Sequence, residues 1–284
     1  MSGEAPLMSR DADLERFLDA SVERLDRHLD ELLPRASEPP ESLHEGMRYA
    51  VYSGGKRLRP ALVFAAAHAC GLAPERALPV AAAVELVHSY SLVHDDLPAM
   101  DDDALRRGRP TVHVKYGEAN AILVGDALLA EAFGVLARAD APGAVIARLA
   151  AAAGSRALVG GQVDDLAFRR ELATPELVRS IHERKTGALF RFSAWAPGAV
   201  AGCAAAELDA LDRFGLAYGR AFQMTDDLLD DDPEECSILR VCDEPSARAL
   251  VAAEVADALA AADRFGPAGV HLRGLARAVA GRLV

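Results

Sequence analysis

The chain has 284 residues, of which 51% are hydrophobic and only 5% aromatic, and its formal net charge is −12. Alanine dominates the hydrophobic fraction, which favours closely packed helices over a β-sandwich, whose strands need more β-branched and aromatic residues. The acidic balance argues against nucleic-acid binding as a main role, because no basic stripe is present to meet a phosphate backbone.

Helical periodicity runs almost throughout. Residues 11–33 show apolar side chains at i, i+3 and i+4, which predicts an amphipathic helix, and a Pro- and Ser-containing connector follows. The remaining helices are predicted over 43–52, 60–70, 77–97, 117–138, 143–168, 175–190, 192–203, 206–231, 246–263 and 271–283. No alternating strand run, strong repeat or flexible linker interrupts them, so we expect one all-α domain spanning residues 1–284.

The segment 1–17 and the cysteines bear on location. The segment is charged and lacks the apolar core of a signal peptide. No run in the chain approaches the uncharged apolar length that a spanning helix needs. The four cysteines fit no zinc spacing and are few for a disulfide scaffold. We therefore expect a cytoplasmic protein with no membrane span.

The first acidic cluster follows a mostly apolar helix and contains five aspartates in nine residues, from Asp95 to Asp103. Pro98 disfavours helix at the residue before it, so Asp95 and Asp96 lie near a helix C-terminus, where the helix dipole disfavours carboxylates. A hard divalent cation would relieve this repulsion, and Mg²⁺ commonly takes one or two carboxylates plus substrate phosphates. The alternative is a solvated acidic loop that caps a core helix.

The second acidic cluster runs from Asp226 to Asp232. Asp226 and Asp230 stand at i, i+4 and share a helix face, an arrangement that destabilises an isolated helix. Two such clusters, each at the end of an apolar helix, are difficult to explain as solvated surface. If the two carboxylate faces oppose each other across a cavity, they could hold several Mg²⁺ ions around one diphosphate.

Basic residues accompany both clusters. The segment 54–60, Gly-Gly-Lys-Arg-Leu-Arg-Pro, places three cations on a turn entering a helix, which is a ready anion site. Its spacing is not that of a P-loop. Arg106 and Arg107 follow the first cluster as surface ion-pair partners or as phosphate clamps. Lys185, in the segment 183–187, is one of only three lysines, with Lys56 and Lys115.

Together these residues resemble the trans-isoprenyl diphosphate synthase (polyprenyl synthetase) family. Five motifs occur in family order between Gly54 and about Leu229. They are Gly-Lys-Arg-x-Arg-Pro, Asp-Asp-x4-Asp with Arg-Arg-Gly, Gly-Gln-x-x-Asp, Lys-Thr-Gly and Phe-Gln-x-x-Asp-Asp-x-x-Asp. Each motif is weak alone, but five in order are specific. The resemblance implies a helical bundle of the isoprenoid synthase type with a central active-site cavity, and a homodimer.

The resemblance also implies roles for the matching positions. Gly55, Lys56, Arg59, His88 and Arg107 would hold isopentenyl diphosphate. Arg106, Lys185 and Gln223 would contact the allylic diphosphate, with Thr186 facing the developing carbocation and Gln162 and Asp165 deeper in the cavity. Asp95, Asp101 and Asp226 would bind three Mg²⁺ ions, supported by Asp96, Asp227 and Asp230.

The expected reaction follows from these roles. Mg²⁺ neutralises the leaving diphosphate, the isopentenyl double bond attacks the allylic carbon, and a proton leaves with the diphosphate. An apolar cavity keeps water from the cation. No protein nucleophile is needed.

Product length should depend on the cavity floor beneath Asp95. Tyr90 stands where farnesyl-forming members of the family carry an aromatic residue, and Ser91 lies one turn below Asp95. The four residues 97–100 between the aspartate pair and Asp101 match the expanded motif of bacterial farnesyl synthases. The expected product is therefore farnesyl diphosphate, made from dimethylallyl or geranyl diphosphate. The alternative is that Tyr90 is an ordinary core or interface aromatic.

One segment departs from the family pattern. A Gly- and Lys-rich loop normally follows the second motif, whereas residues 230–240 read Asp-Asp-Asp-Pro-Glu-Glu-Cys-Ser-Ile-Leu-Arg and no lysine follows Lys185. Either the protein lacks this loop or the printed sequence omits it, and the mobility expected of an open lid favours the second explanation. An intact mass of 30.0 kDa would contradict the omission.

Three other functions remain open. A geranylgeranyl-forming synthase differs only in product length. A terpene cyclase shares the metal chemistry but needs no isopentenyl site, so the cations of the segment 54–60 count against it. A non-catalytic regulatory subunit is supported only by the missing lysine loop, and it gains nothing from clustered aspartates.

Overall fold

The computed structural model describes residues 12–229 and 236–283. The chain packs into two compact units. Unit 1 contains residues up to Asp19, Leu62–Ala77 and the chain from Pro142 onward, and unit 2 contains Ala20–Ala61 and Leu78–Ala141. Three of the four boundaries between the units fall inside the first, third and fourth α-helices, and the fourth lies between Ala141 and Pro142.

Helices make up nearly all of the regular structure. The α-helices in the described residues are α1 Ala12–Leu32, α2 Glu41–Val51, α3 Leu58–Ala69, α4 Pro74–Asp95, α5 Val112–Tyr116, α6 Glu118–Arg138, α7 Gly143–Ala153, α8 Leu158–Leu166, α9 Pro175–His182, α10 Ala188–Ala201, α11 Ala205–Leu229, α12 Glu244–Ala262 and α13 Val270–Gly281. The predicted all-α fold is confirmed. The single domain over 1–284 stays a prediction.

Burial explains why these helices form. In α1, Leu14, Leu25 and Leu29 are buried at helical spacing while most residues between them are exposed or half-buried, as expected of an amphipathic surface helix. In α4, every residue from Val80 to Val87 is buried, including the charged Glu85, which is typical of a core helix. The acidic C-terminal end of α4 therefore extends from a fully buried stretch of helix.

The structure differs from the predicted local structure in three places. The predicted helix over 143–168 is wrong, because the chain leaves helical geometry between α7 and α8, where Ala157 has φ −133° and ψ −115°. Two-residue strands β1 (Leu105–Arg106) and β2 (Arg109–Pro110) form an antiparallel hairpin, with Leu105 opposite Pro110. The predicted helix over 175–190 contains a π-helical turn, Glu183–Gly187, between α9 and α10.

Two segments are long and apolar enough to cross a membrane by length and composition, Glu118–Arg138 and Gly143–Leu166. This is weak evidence, because the core helix of a soluble protein passes the same test. The second segment is interrupted by the non-helical chain between α7 and α8. The expected absence of a membrane span stays a prediction.

Candidate active site

The C-terminal end of α4 separates the aspartates of the first cluster by exposure. The backbone N–H of Asp101 donates to the carbonyl of Asp95 over 2.9 Å, so the turn holds these two residues on adjacent backbone. Asp101 is exposed and Asp95 half-buried, whereas Asp96 is 4% exposed. Asp95 and Asp101 therefore have carboxylates that reach solvent, as do the exposed Asp102 and Asp103.

Asp96 has a structural partner. Arg106 Nε donates to Asp96 Oδ1 over 2.5 Å, and Arg106 Nη2 lies 3.2 Å from Asp103 Oδ2. Burial raises the pKa of Asp96, and the Arg106 guanidinium partly offsets that rise. This geometry agrees with a supporting role for Asp96 and holds Arg106 beside the acidic turn.

The hairpin positions Arg107 against the glycine turn of the segment 54–60. Arg107 and Gly108 form the two-residue turn of the hairpin with φ +53° and +73°, the positive values that such turns require. Arg107 Nη1 donates to the carbonyl of Gly54, and a Cβ at Gly55 would collide with the same guanidinium. Gly55, with φ +129°, thus allows this close approach of Arg107 without displacing the guanidinium.

His88 lies among cations. The pKa of His88 is lowered well below 6.5 by burial first, and then by Arg59, Arg107 and Arg106, with a smaller effect from Arg57. Although some of the side chain is solvent-exposed, dense packing and positive neighbours disfavour the imidazolium. A neutral imidazole beside several guanidinium groups is suited to binding an anion by hydrogen bonds as well as charge.

The three cations of the segment 54–60 differ in their surroundings. Lys56 is exposed and Arg59 half-buried. Arg57 is buried, lies 2.5 Å from Glu85 Oε1 and 3.3 Å from Asp26 Oδ1, and donates to the carbonyl of Val51. Arg57 is therefore a structural residue, which the sequence motif alone did not reveal.

The proposed floor residues lie on α4 in unit 2. Tyr90 is 5% exposed, and its ring contacts the His94 ring edge to face at 5.8 Å. Its buried hydroxyl has no hydrogen-bond partner within the described residues. Ser91 Oγ donates to the carbonyl of His88. The burial of Tyr90 is compatible with a role in the floor of the active-site cavity and equally with a role as an ordinary core aromatic.

In unit 1, the π-helical turn carries two basic side chains that pair with α8. Lys185 Nζ lies 2.5 Å from Asp165 Oδ2, and Arg184 pairs with Asp164. A Cβ at Gly161 would collide with the Lys185 backbone, so the glycine permits the close packing of α8 on this turn. π-Helical turns are frequent at functional sites.

A hydrogen-bonded chain leads from this turn to the second cluster. Thr186 Oγ1 donates to Gln223 Oε1 over 2.7 Å, and Gln223 Nε2 donates to Asp227 Oδ1 over 3.0 Å. Asp227 Oδ2 accepts the backbone N–H of Ile238 over 2.7 Å. The sequence-predicted residues Lys185, Thr186, Gln223 and Asp227 therefore belong to one connected arrangement.

The aspartates of the second cluster also differ. Asp227 is 5% exposed and has His182 Nε2 at 3.5 Å; burial raises its pKa, while His182 and the hydrogen bonds lower it. Asp226 is more exposed and pairs with Arg282 over 2.5 Å. Asp230 lies outside the described residues. His182 and Arg282 were not predicted, since nothing in their sequence context places them beside these aspartates.

An apolar pocket lies beside Asp227 in unit 1. It has a volume of about 200 Å³, and Met224, Ile238 and Leu250 contribute to its apolar wall. Arg179, Arg220 and Glu254 add charged groups to its lining. His182 and Ile238 line this pocket and also contact Asp227.

The carboxylates of the two clusters suit a cation that prefers oxygen ligands. No group of three His, Cys, Asp or Glu side chains in the described part of the chain forms a metal cluster by itself. Mg²⁺ does not need one, because it commonly takes one or two carboxylates and completes its shell with water and phosphate oxygens. The buried Gln162 Nε2 lacks a partner among the described residues, which leaves a donor for a bound water or anion.

Comparison with known proteins identifies the family. The polyprenyl synthetase family model matches residues 40–237. The farnesyl diphosphate synthase of Geobacillus stearothermophilus is 41% identical over 224 residues, 76% of this chain and 75% of that protein. The geranylgeranyl diphosphate synthase of Cyanophora paradoxa is 42% identical over 209 residues, 71% of this chain and 69% of that protein.

A solved structure supports the same assignment. The apo crystal structure of an FPP/GFPP synthase from Zymomonas mobilis superposes with a TM-score of 0.86 at 38% identity, covering 93% of this chain and 98% of that one. The resemblance that the five sequence motifs indicated is thereby confirmed. The chain belongs to the polyprenyl synthetase family.

Proposed function

We propose that the protein is a trans-prenyltransferase that condenses isopentenyl diphosphate with dimethylallyl or geranyl diphosphate to give farnesyl diphosphate. The observation that carries this proposal is the basic set of unit 2. Arg107 is seated on the Gly54–Gly55 turn, and His88 is kept neutral beside Arg59 and Arg107. A second anion site of this kind suits an isopentenyl diphosphate, which a terpene cyclase does not bind.

Different side chains of the protein would bind the two substrates. Lys56, Arg59, His88 and Arg107 would bind the diphosphate of isopentenyl diphosphate. Lys185 and Gln223 would bind the allylic diphosphate, with Arg106, once released from Asp96, donating to the same group. Guanidinium groups suit this task because they donate two hydrogen bonds in one plane.

Asp95, Asp101 and Asp226 would hold Mg²⁺, three ions in all, and bound Mg²⁺ would supply charge neutralisation for the leaving diphosphate. In the reaction, the allylic C–O bond breaks and the isopentenyl double bond forms the new C–C bond. A proton then leaves the former isopentenyl unit for the departing diphosphate. Thr186, hydrogen-bonded to Gln223, would orient its hydroxyl oxygen toward the positive charge.

Product length, assembly and location are parts of the same proposal. The buried Tyr90 favours a short product, farnesyl diphosphate, and a geranylgeranyl product is the main alternative. Exposed Ile122 and Leu123 on α6 support a homodimer, because large apolar side chains at a surface favour association. All four cysteines are free thiols, which suits the reducing cytoplasm.

Product analysis tests the proposal directly. The purified protein is incubated with Mg²⁺ and geranyl diphosphate, with and without isopentenyl diphosphate, and extracts are analysed for chain length. A C15 diphosphate that requires both substrates is expected. Product formed without isopentenyl diphosphate would favour a cyclase, and no metal-dependent turnover would favour a non-catalytic subunit.

A further inference from the structure

Arg282, in the turn that follows α13, reaches the second acidic cluster. Its Nη2 lies 2.5 Å from Asp226 Oδ1, and its guanidinium carbon lies 5.0 Å from the centre of the Phe222 ring. The Arg282 side chain is 12% exposed, compared with 35% for Asp226. A guanidinium that is mostly buried and stacked on an aromatic ring is held in place rather than sampling solvent.

The same guanidinium has an unused donor. Arg282 Nη1 is buried and has no hydrogen-bond partner among residues 12–229 and 236–283. A buried charged donor without an acceptor is unfavourable and points to an acceptor that arrives with a ligand. Because Nη2 of this residue already contacts the Asp226 carboxylate, the acceptor would bind next to that carboxylate.

Charge considerations identify the ligand. A carboxylate that the proposed function assigns to Mg²⁺ is here neutralised by a protein cation, so metal and guanidinium compete for Asp226. A metal–diphosphate complex would resolve this competition, because Asp226 would hold the metal and the displaced guanidinium would donate to the diphosphate oxygens. Arg282 also supplies positive charge in a stretch, residues 186–284, that contains no lysine.

We propose that Arg282 exchanges partners during the catalytic cycle, pairing with Asp226 before metal binding and donating to the allylic diphosphate afterwards. This inference rests on the proposed function, from which it takes the metal at Asp226 and the diphosphate. Arg282 thus acts first as a competitor of the metal and then as a diphosphate-binding residue.

The exchange predicts opposite changes in two affinities when Arg282 is replaced. Binding of Mn²⁺ alone is followed by electron paramagnetic resonance, in an Asp95→Asn, Asp101→Asn background that silences the first set. Binding of inorganic pyrophosphate with saturating Mg²⁺ is followed by calorimetry in the otherwise unchanged chain. Arg282→Gln should tighten Mn²⁺ binding about threefold to tenfold and weaken pyrophosphate binding about tenfold, the scale of one charge-assisted hydrogen bond.

A purely structural anchor would behave differently. It would weaken both affinities together, or change neither, and either result would overturn the proposal. Arg282→Met keeps an apolar stem against Phe222 and should show the same opposite changes if Arg282→Gln folds poorly. Arg277→Gln, an exposed arginine on α13, is the matched control and should leave both affinities unchanged.

Failure of this inference and failure of the proposed function are distinguishable. Both binding assays need no turnover, and elongation of geranyl diphosphate by the wild-type chain is measured separately. Normal elongation without the opposite changes would remove only the role of Arg282. Opposite changes without elongation would retain the exchange at Asp226 and remove the prenyltransferase assignment.

Discussion

The backbone N–H of Asp101 donates to the carbonyl of Asp95 over 2.9 Å, which closes the acidic turn that follows α4. Because this hydrogen bond joins two main-chain groups, it places the two aspartates side by side independently of their side-chain conformations. Asp96, between them in sequence, is instead buried against Arg106. The turn therefore separates aspartates proposed for metal binding from one that is structural.

We expect Asp95→Asn to lower Mg²⁺-dependent turnover by about 100-fold or more, because loss of a mere supporting partner of a metal ligand already costs about 10- to 100-fold. Steady-state rates over a Mg²⁺ titration measure this. Asp102→Asn is the matched control, since Asp102 is exposed in the same turn and asparagine tolerates its φ of +54°. Equal losses in both variants would contradict the assignment.

His88 gives a pH-dependent prediction. Its pKa in the folded chain is well below the unfolded value of 6.5, so below pH 6.5 the unfolded chain binds more protons at this residue than the folded chain. His88 therefore contributes stability at pH 7 and above that is lost as the pH falls through 6.5. His88→Gln removes this contribution to the pH dependence.

The measurement is the free energy of unfolding of wild type and His88→Gln between pH 5 and pH 8. The wild-type value should fall more steeply toward pH 5 than that of the variant. His44→Gln, at a half-buried histidine in α2, is the control and should follow the wild type. Parallel curves for all three proteins would show that His88 titrates normally.

The role of Tyr90 is tested with two substitutions, one that removes the whole ring and one that removes only the hydroxyl. Tyr90→Ala should lengthen the product if the ring forms the cavity floor, and it should lower the free energy of unfolding by about 3–5 kcal/mol, as for other buried aromatics. Tyr90→Phe should keep the product and the fold, because the hydroxyl has no partner among the described residues. Chain-length analysis of the extracted products decides. Unchanged length in Tyr90→Ala would leave Tyr90 as a core residue.

Gly161 sets the contact between α8 and the π-helical turn. Gly161→Ala should lower the free energy of unfolding by about 1–3 kcal/mol, because its methyl group would overlap the Lys185 backbone and force the elements apart. Denaturant unfolding measures this. Gly143→Ala, at the start of α7 with open space around its Cβ, should be neutral or stabilising. Similar losses in both variants would contradict the packing argument.

The helices could be predicted closely because apolar spacing over long segments depends only on the sequence. Predicted helices over 117–138 and 206–231 correspond to α6 and α11. The break after α7 was missed because an alanine-rich run continues through Ala153 and hides the single Gly154. The hairpin at Arg107 was missed because strands of two residues show no alternation.

For the candidate site, the sequence could predict which residue types take part but not the role of each individual residue. Sequence spacing placed aspartates and basic residues in motifs, but it could not separate Arg57 from Arg59, since the partner of Arg57 is Glu85, 28 residues away on α4. The same reason hid Arg282, which reaches Asp226 only through the packing of α13 on α11. Burial and distant partners decide such roles, and neither has a local sequence signal.

Arg57 and Arg59 provide the last test, because substitution of Arg57 should lower stability whereas substitution of Arg59 should weaken substrate binding. Arg57→Ala should lower the free energy of unfolding by about 3–5 kcal/mol, since it leaves Glu85 charged and buried without its partner. Arg59→Ala should change stability by less than about 1 kcal/mol and raise the KM for isopentenyl diphosphate. Chemical denaturation and steady-state kinetics measure the two effects.

A rescue variant distinguishes a buried ion pair from general damage to the turn. In Arg57→Met, Glu85→Leu, both charges are replaced by apolar side chains of similar length, and stability should return to within about 1–2 kcal/mol of wild type. The double variant keeps Lys56 and Arg59, so it should also keep the KM for isopentenyl diphosphate. If stability does not return, the contacts of Arg57 with Asp26 and the Val51 carbonyl, rather than with Glu85, hold the turn.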